Sequence, residues 1–364
     1  MKKTIFHIIT DFDLGGAEVV AANICKNKNS EFKYHMIAVV NSKNDYAQTF
    51  MKSMESIGVV CHRSFCSNNK FGIILFPFWF LFLFLRYKPI IVHSHTEVPD
   101  LSTYMFNFFF GWLPSWRRVK IVRTIHNTVL WTDWKGIGKR VEKFFRKKEA
   151  NVSISISVQQ SYKRNYGDDT PIIYNGVEAI QLLPFKQIEP DKINILFAGR
   201  FEEQKGIVQL VKILAMFKND SRFFFHIVGN GSKLHEIQNV MTGMNNGRFY
   251  NRIFNLSAYL ASFDYLLMPS NFEGLVLVSL EASMAKTPVM VNMSCPGLNE
   301  TIPRNWPLAV QHNDINQWYS LIDSLDKQDE KALGETSYNF VKSRFTVERM
   351  QKEYEELYKK KIID

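Results

Sequence analysis

Short unbroken runs of isoleucine, valine, leucine and phenylalanine recur along the chain. Between them lie longer stretches in which apolar residues return every three or four positions. In the first half, the runs at 4–9, 34–40, 89–95, 120–126, 152–157 and 171–175 predict strands. The intervening segments 16–28, 45–57, 71–87, 98–112, 134–149 and 159–165 predict helices. Continuous rather than alternating apolar runs point to parallel sheets covered on both faces. A polar, proline-containing stretch at 175–192 interrupts the pattern, which then restarts with strands at 193–199, 223–229, 265–270 and 288–292. Helices are expected at 204–217, 232–241, 256–262 and 275–285, with a final charged helix over 346–361. The expectation is α/β: two Rossmann-like doubly wound domains in tandem, facing across a cleft. Residues 1–177 form the first domain and 178–345 the second, and a helix in 346–364 packs back on the first.

Composition changes this picture in two places. Four cysteines without C-x-x-C or zinc spacing fit reduced thiols in a cytosolic protein. The net charge of +10 is carried entirely by residues 1–180, which hold 24 Lys and Arg against 14 Asp and Glu, so that half faces something anionic. No nucleic-acid fold signature accompanies the charge. It is interleaved with aromatics in "YMFNFFFGWLPSWRRVK" (104–120) and "KRVEKFFRKKEA" (139–150), and Arg86 and Lys88 directly follow the uncharged "FGIILFPFWFLFLFL" (71–85). Aromatic and basic side chains together suit a bilayer interface. Residues 71–85 are too short for a spanning helix, which needs ~20 residues. They are read either as a helix buried against a sheet or as a membrane contact.

Candidate chemistry collects at strand ends. "FAGRFEEQKGI" places Arg200 just after a strand and Lys205 at the next helix start, where two cations suit a diphosphate. "IVGNGSKL" contributes Gly229 to a strand–turn–helix, and "TDFDLGGAEVV" opens the first helix with Gly15 and Gly16. "SNFEGLVLVSLEA" sets Glu273 ahead of a helix and Glu281 within it. His93 and His95 share a strand face and His126 closes the next strand. Polar lining of a cleft, substrate contact by His126 and a zinc site are the three readings of that trio, with no carboxylate or cysteine arrangement supporting zinc.

Taken in order, "GGAE", "VHSH", "IHN", "NGV", "GRFEEQKG", "VGNG" and "PSNFEGLVLVSLEA" resemble the retaining GT-B glycosyltransferases of family 4, with its E-x7-E signature. The resemblance spans nearly the whole chain. It implies a nucleotide-sugar donor held mainly by the second domain, with Arg200 and Lys205 neutralising the diphosphate and Gly16 meeting it from the first domain. Glu281 would bind the ribose. Glu273 and the backbone N–H groups of Leu275, Val276 and Leu277 would hold the transferred sugar. Gly229 would lie on the donor side, His126 near the anomeric centre, and His95 on the acceptor side. No metal or cofactor is required when Arg and Lys neutralise the phosphates, and a UDP-sugar is the favoured donor. Leu275 and Val276 replace the family's usual phenylalanine and small residue, a bulk expected to restrict the sugar.

The functional expectation is therefore a retaining transferase that moves sugar to a lipid-linked saccharide in surface polysaccharide synthesis (capsule or lipopolysaccharide). It would be cytoplasmic and peripheral on the anionic inner face of the plasma membrane, without nucleic acid as partner. The rival readings are a nucleotide-sugar epimerase on the same architecture and a catalytically lapsed membrane-associated binding module.

Overall fold

The structure, a computed structural model, describes residues 2–13, 15–42, 45–132, 135–179 and 181–363. The chain divides into two units, Met1–Gly176 with Val347–Asp364, and Val177–Thr346. Each is built on a six-stranded parallel sheet.

In the first unit the strands are β1 (Lys3–Ile9), β2 (Phe32–Ala38), β3 (Val60–Arg63), β4 (Ile91–His95), β5 (Lys120–Ile125) and β6 (Asn151–Ser153), in the order β3-β2-β1-β4-β5-β6. Helices α1 (Gly16–Cys25), α2 (Asp45–Ser56), α3 (Asn69–Tyr87), α4 (Glu97–Phe110), α5 (Pro114–Arg117), α6 (Lys135–Lys147) and α7 (Ile156–Tyr166) connect them. In the second unit β7 (Ile193–Ala198), β8 (Phe223–Val228), β9 (Gly247–Tyr250), β10 (Tyr265–Met268), β11 (Val289–Asn292) and β12 (Ala309–Val310) run β12-β11-β10-β7-β8-β9. Its helices are α8 (Ile207–Met216), α9 (Leu234–Met241), α10 (Leu256–Tyr259), α11 (Leu277–Met284), α12 (Pro296–Asn299), α13 (Ile315–Asp323) and α14 (Lys327–Lys342). The last helix, α15 (Val347–Ile363), belongs to the first unit.

Both sheets reverse direction beside their first strand, between β1 and β4 and between β7 and β10. Loops leaving the carboxyl ends of such neighbours part to opposite faces and open a crevice, the usual ligand position in this fold class. The central strands β4, β7, β8, β10 and β11 are buried along their whole length, which is why they read as unbroken apolar runs.

Departures from the pattern have local causes. The edge strands β3, β9 and β12 are short and partly solvated, so no apolar run announces them. The expected strand at 171–175 is only a bridge between Ser153 and Ile172, begun by a proline that cannot donate to a ladder. The run 152–157 is strand only to Ser153, because Ser155 accepts the N–H of Val158 and starts α7 at Ile156. Helices α13 and α14 were not anticipated.

Residues of the predicted linker are ordered by the second unit. Val177 pairs with Thr346, and Leu183 and Phe185 bond Ala258 and Ser262.

Candidate functional site

In the second unit, the β7–α8 and β10–α11 loops meet at the switch point. Lys205 lies in a single helical turn, Glu203–Lys205, and Gly206 follows at φ 69°. That left-handed turn lets the loop pass directly against the Pro269 carbonyl, where a Cβ would collide. Gly229 likewise abuts the Gly199 carbonyl. It therefore also packs one loop on another, which the spacing alone did not show.

This packing brings Lys205 Nζ to 2.7 Å from Glu273 Oε1, and Gln204 Nε2 donates to Glu273 Oε2 at 3.2 Å. Arg200 is exposed and donates to Gln204 Oε1 at 3.3 Å. Glu273 is only 6% exposed, so its charge is held by these donors rather than by water.

A second set of residues fixes the loop and was not identified from the sequence. Asn271 binds Gln204 O through its N–H and Glu203 O through Nδ2. Asn292, at the end of β11, donates to Ser270 O, and Asn313 donates to Pro269 O and Asn271 Oδ1. Gly297 of α12 lies against the carbonyls of Glu273 and Gly274 so closely that no side chain fits. Asn271 and Asn313 stand in loops and Asn292 ends a strand, and only the parallel sheet brings them together.

Helix α11 begins at Leu277 with Val276 as N-cap, a residue that supplies no side-chain acceptor. Its first-turn N–H groups are therefore available to an anion. Leu275 and Val276 are buried, Val276 within the unit's core. Glu281 follows in the same helix, half-buried, with no side-chain partner among the described residues. Burial pushes its carboxyl up to about 7.

In the first unit, Gly16 opens α1, but the anion position there is partly taken. The Glu18 carboxylate turns back over Gly15, where a Cβ would meet it, and burial pushes it up to about 7.

The histidines form a hydrogen-bonded row. Tyr354 OH meets Thr124 Oγ1 at 2.8 Å, Thr124 Oγ1 meets His93 Nε2 at 2.7 Å, and His93 Nδ1 meets Tyr358 OH at 2.7 Å. Tyr358 OH then approaches His7 Nε2 at 3.4 Å, His7 Nδ1 lies 3.1 Å from His95 Nε2, and His95 Nδ1 lies 3.3 Å from His126 Nε2. Burial depresses His7 and His126 to about 3, and His93 and His95 well below the usual range, so the row is neutral. A neutral imidazole donates from one nitrogen and accepts at the other. The row therefore has two self-consistent directions, and the direction sets which His126 nitrogen carries the proton.

His7, His93 and His95 each offer a ring nitrogen within 4.8 Å of the others, near enough for a metal ion by distance. Both nitrogens of His93 are spent on Tyr358 and Thr124, however, and its ring stacks on His95 at 29°. Stacked rings do not converge their lone pairs on one point.

Two family models match the chain without overlap. "Glycosyltransferase Family 4" covers residues 14–180 and "Glycosyl transferases group 1" covers residues 192–327. The chain belongs to glycosyltransferase family 4. The family's GT-B fold accounts for the two Rossmann-like units. Among curated relatives, the capsular polysaccharide biosynthesis glycosyltransferase CapH of Staphylococcus aureus is 25% identical over 295 residues, 76% of this chain and 78% of that one. Among solved structures, sucrose-phosphate synthase from Thermosynechococcus elongatus has a TM-score of 0.80 at 18% identity, covering 98% of both chains. HepE from Anabaena, in complex with UDP-glucose, has a TM-score of 0.79 at 14% identity and covers 98% of this chain and 99% of that one. This family-4 member is a transferase.

Proposed function

We propose that the chain transfers sugar, with retention, from a nucleotide-diphosphate sugar (a UDP-sugar first) to a lipid-linked saccharide in surface polysaccharide synthesis. The reaction would take place at the cytoplasmic face of an anionic membrane. The observation that carries the reading is the Lys205–Glu273–Gln204 cluster beside the uncapped start of α11, with Glu281, which has no side-chain partner among the described residues, further along that helix. Before donor arrives, Lys205 and Glu273 neutralise each other. A diphosphate competes for Lys205, and the sugar hydroxyls then replace the lysine as donors to Glu273. The free N–H groups of α11 and Arg200 add positive potential where charge grows on the leaving diphosphate. Such fixed groups stabilise the transition state more than the ground state. No metal is needed in this scheme, because cations and helix start supply that stabilisation.

Glu281 offers a carboxylate to the ribose hydroxyls. Neutral His126 offers hydrogen bonds to the transferred sugar rather than proton transfer near pH 7. Relatives such as CapH, and the UDP-glucose complex of HepE, support the polysaccharide and donor parts of the proposal. The test is nucleotide release across a donor panel, with Lys205→Ala and Arg200→Ala in parallel. Each variant should lose activity tenfold or more, since a hydrogen bond to a charged group contributes ~1.5–3 kcal/mol. The thermal midpoint should stay near wild type in Arg200→Ala, whose side chain is exposed, and fall in Lys205→Ala, which leaves Glu273 buried without its cation. Release from no donor, or unimpaired variants, would remove the diphosphate assignment.

A further inference from the structure

Helix α3 is apolar around its whole circumference, yet only one side enters the core. Ile73, Phe76, Phe80, Leu83 and Phe84 are buried against the first sheet. On the other side Phe71, Ile74, Phe78, Phe82 and Leu85 repeat at helical spacing and stand in solvent, Phe82 at 64% exposure. The outer stripe continues onto α4. Phe78 packs edge to face on Phe110 at 5.9 Å and lies 5.5 Å from Phe109. Phe108 is 69% exposed, and Trp112 lies beyond it with its indole N–H on Phe109 O. A contiguous apolar face of this kind on a soluble surface marks an interaction site.

Its charge surroundings select the occupant. No aspartate or glutamate lies between Glu55 and Glu97, or between Asp100 and Asp133, and Asp100 is buried on Arg123. Exposed Lys70 begins α3, Arg86 and Lys88 end it, and Arg117 and Arg118 follow Trp112. An aromatic face with bases at its ends matches a helix lying in the plane of an anionic bilayer, its lysines and arginines reaching the headgroups. A second copy fits poorly, because a two-fold contact sets this basic rim against itself. Because one side of α3 is committed to the core, the helix does not span the bilayer.

We infer that the outer face of α3 and the end of α4 form a monotopic docking surface for anionic lipid, inserting Phe82, Phe108 and Trp112 below the headgroups. The inference rests on the lipid-acceptor reading above, and names the part of the molecule that reaches that acceptor's membrane.

The test is flotation of the full chain with vesicles of phosphatidylethanolamine and phosphatidylglycerol, or of phosphatidylcholine alone. It compares wild type with Phe82→Ser/Phe108→Ser. Wild type should float with the anionic vesicles and bind the neutral ones far more weakly. The double variant should lose about a hundredfold or more in partitioning, the contribution of two buried aromatics. Its thermal midpoint and its UDP affinity should stay unchanged. Brominated lipid should quench wild-type tryptophan fluorescence more than that of Trp112→Phe. Undiminished flotation of the double variant overturns the assignment, as does equal binding to both vesicle types. Absence of flotation together with a wild-type dimer that the variant dissolves makes the face a contact between copies and also overturns it. If the surface behaves as stated but no label reaches lipid, the docking surface stands and the lipid-acceptor reading falls.

Discussion

At the residue scale, the two signature carboxylates differ in what already holds them. Glu273 is neutralised by Lys205 and hydrogen-bonded by Gln204, whereas Glu281 is half-buried, has no side-chain partner among the described residues and is pushed up to about 7 by burial. Hydroxyl donors favour the ionised form, so a nucleotide that bonds Glu281 lowers its pKa. Nucleotide affinity should then be constant above about pH 7. Below that it should weaken, by up to about tenfold per pH unit, as the free protein takes up a proton that the complex must release. Glu281→Gln should bind more weakly and without this slope. Calorimetric titration of UDP between pH 5.5 and 8 checks both, and an unchanged slope in the variant would detach Glu281 from the ribose. The motif spacing announced these glutamates. It did not announce Gln204, Asn271, Asn292 or Asn313, which stand at or just beyond the ends of four different strands and meet only because β7, β10, β11 and β12 are neighbours.

At the element scale, a buried ion triad ties the first unit together. Arg123 of β5 bonds Asp100 of α4 at 2.6 Å and Glu142 of α6 through two nitrogens, while Trp131 and Tyr162 also donate to Glu142. Arg123→Ala would leave two carboxylates buried without their cation. It should destabilise by about 3–5 kcal/mol, read as a lower denaturant midpoint of the first unit. A midpoint within about 1 kcal/mol of wild type would show that water or Trp131 and Tyr162 suffice.

The doubly wound order of both sheets was legible in the apolar runs, because strands buried on two faces must be apolar throughout. The triad was not, since Arg123 sits inside such a run and reads there as an interruption. Edge strands β3 and β12 were equally hidden, being short and half-wet. Helix α3 is core on one side, as one of its two readings had it, and exposed on the other.

At the scale of the whole molecule, charge and histidine burial set the working conditions. His7, His93 and His95 are almost wholly buried and held neutral, far below the ordinary value of 6.5. Their depressed pKa values contribute stability that is complete above 6.5 and lost as pH falls, because unfolding then takes up protons that the native state refuses. Three such groups give about 4 kcal/mol per pH unit below about pH 6. The thermal midpoint should therefore fall steeply between pH 6.5 and 5, and a flat profile over that range would show that these rings accept protons in the native state.

The central claim is group transfer from a nucleotide sugar at the Lys205–Glu273 cluster. Its most direct measurement is transfer of radiolabelled sugar from a panel of UDP-sugars into a bacterial lipid extract, with Glu273→Ala run beside wild type. The account predicts label in the organic phase with stoichiometric UDP release. In Glu273→Ala, turnover should fall roughly ten- to a hundredfold, the rate equivalent of one charge-assisted hydrogen bond, while UDP binding is not weakened, because Lys205 loses the carboxylate that competes for it. Label appearing at the same rate in both proteins, or no UDP released from any donor, would contradict it.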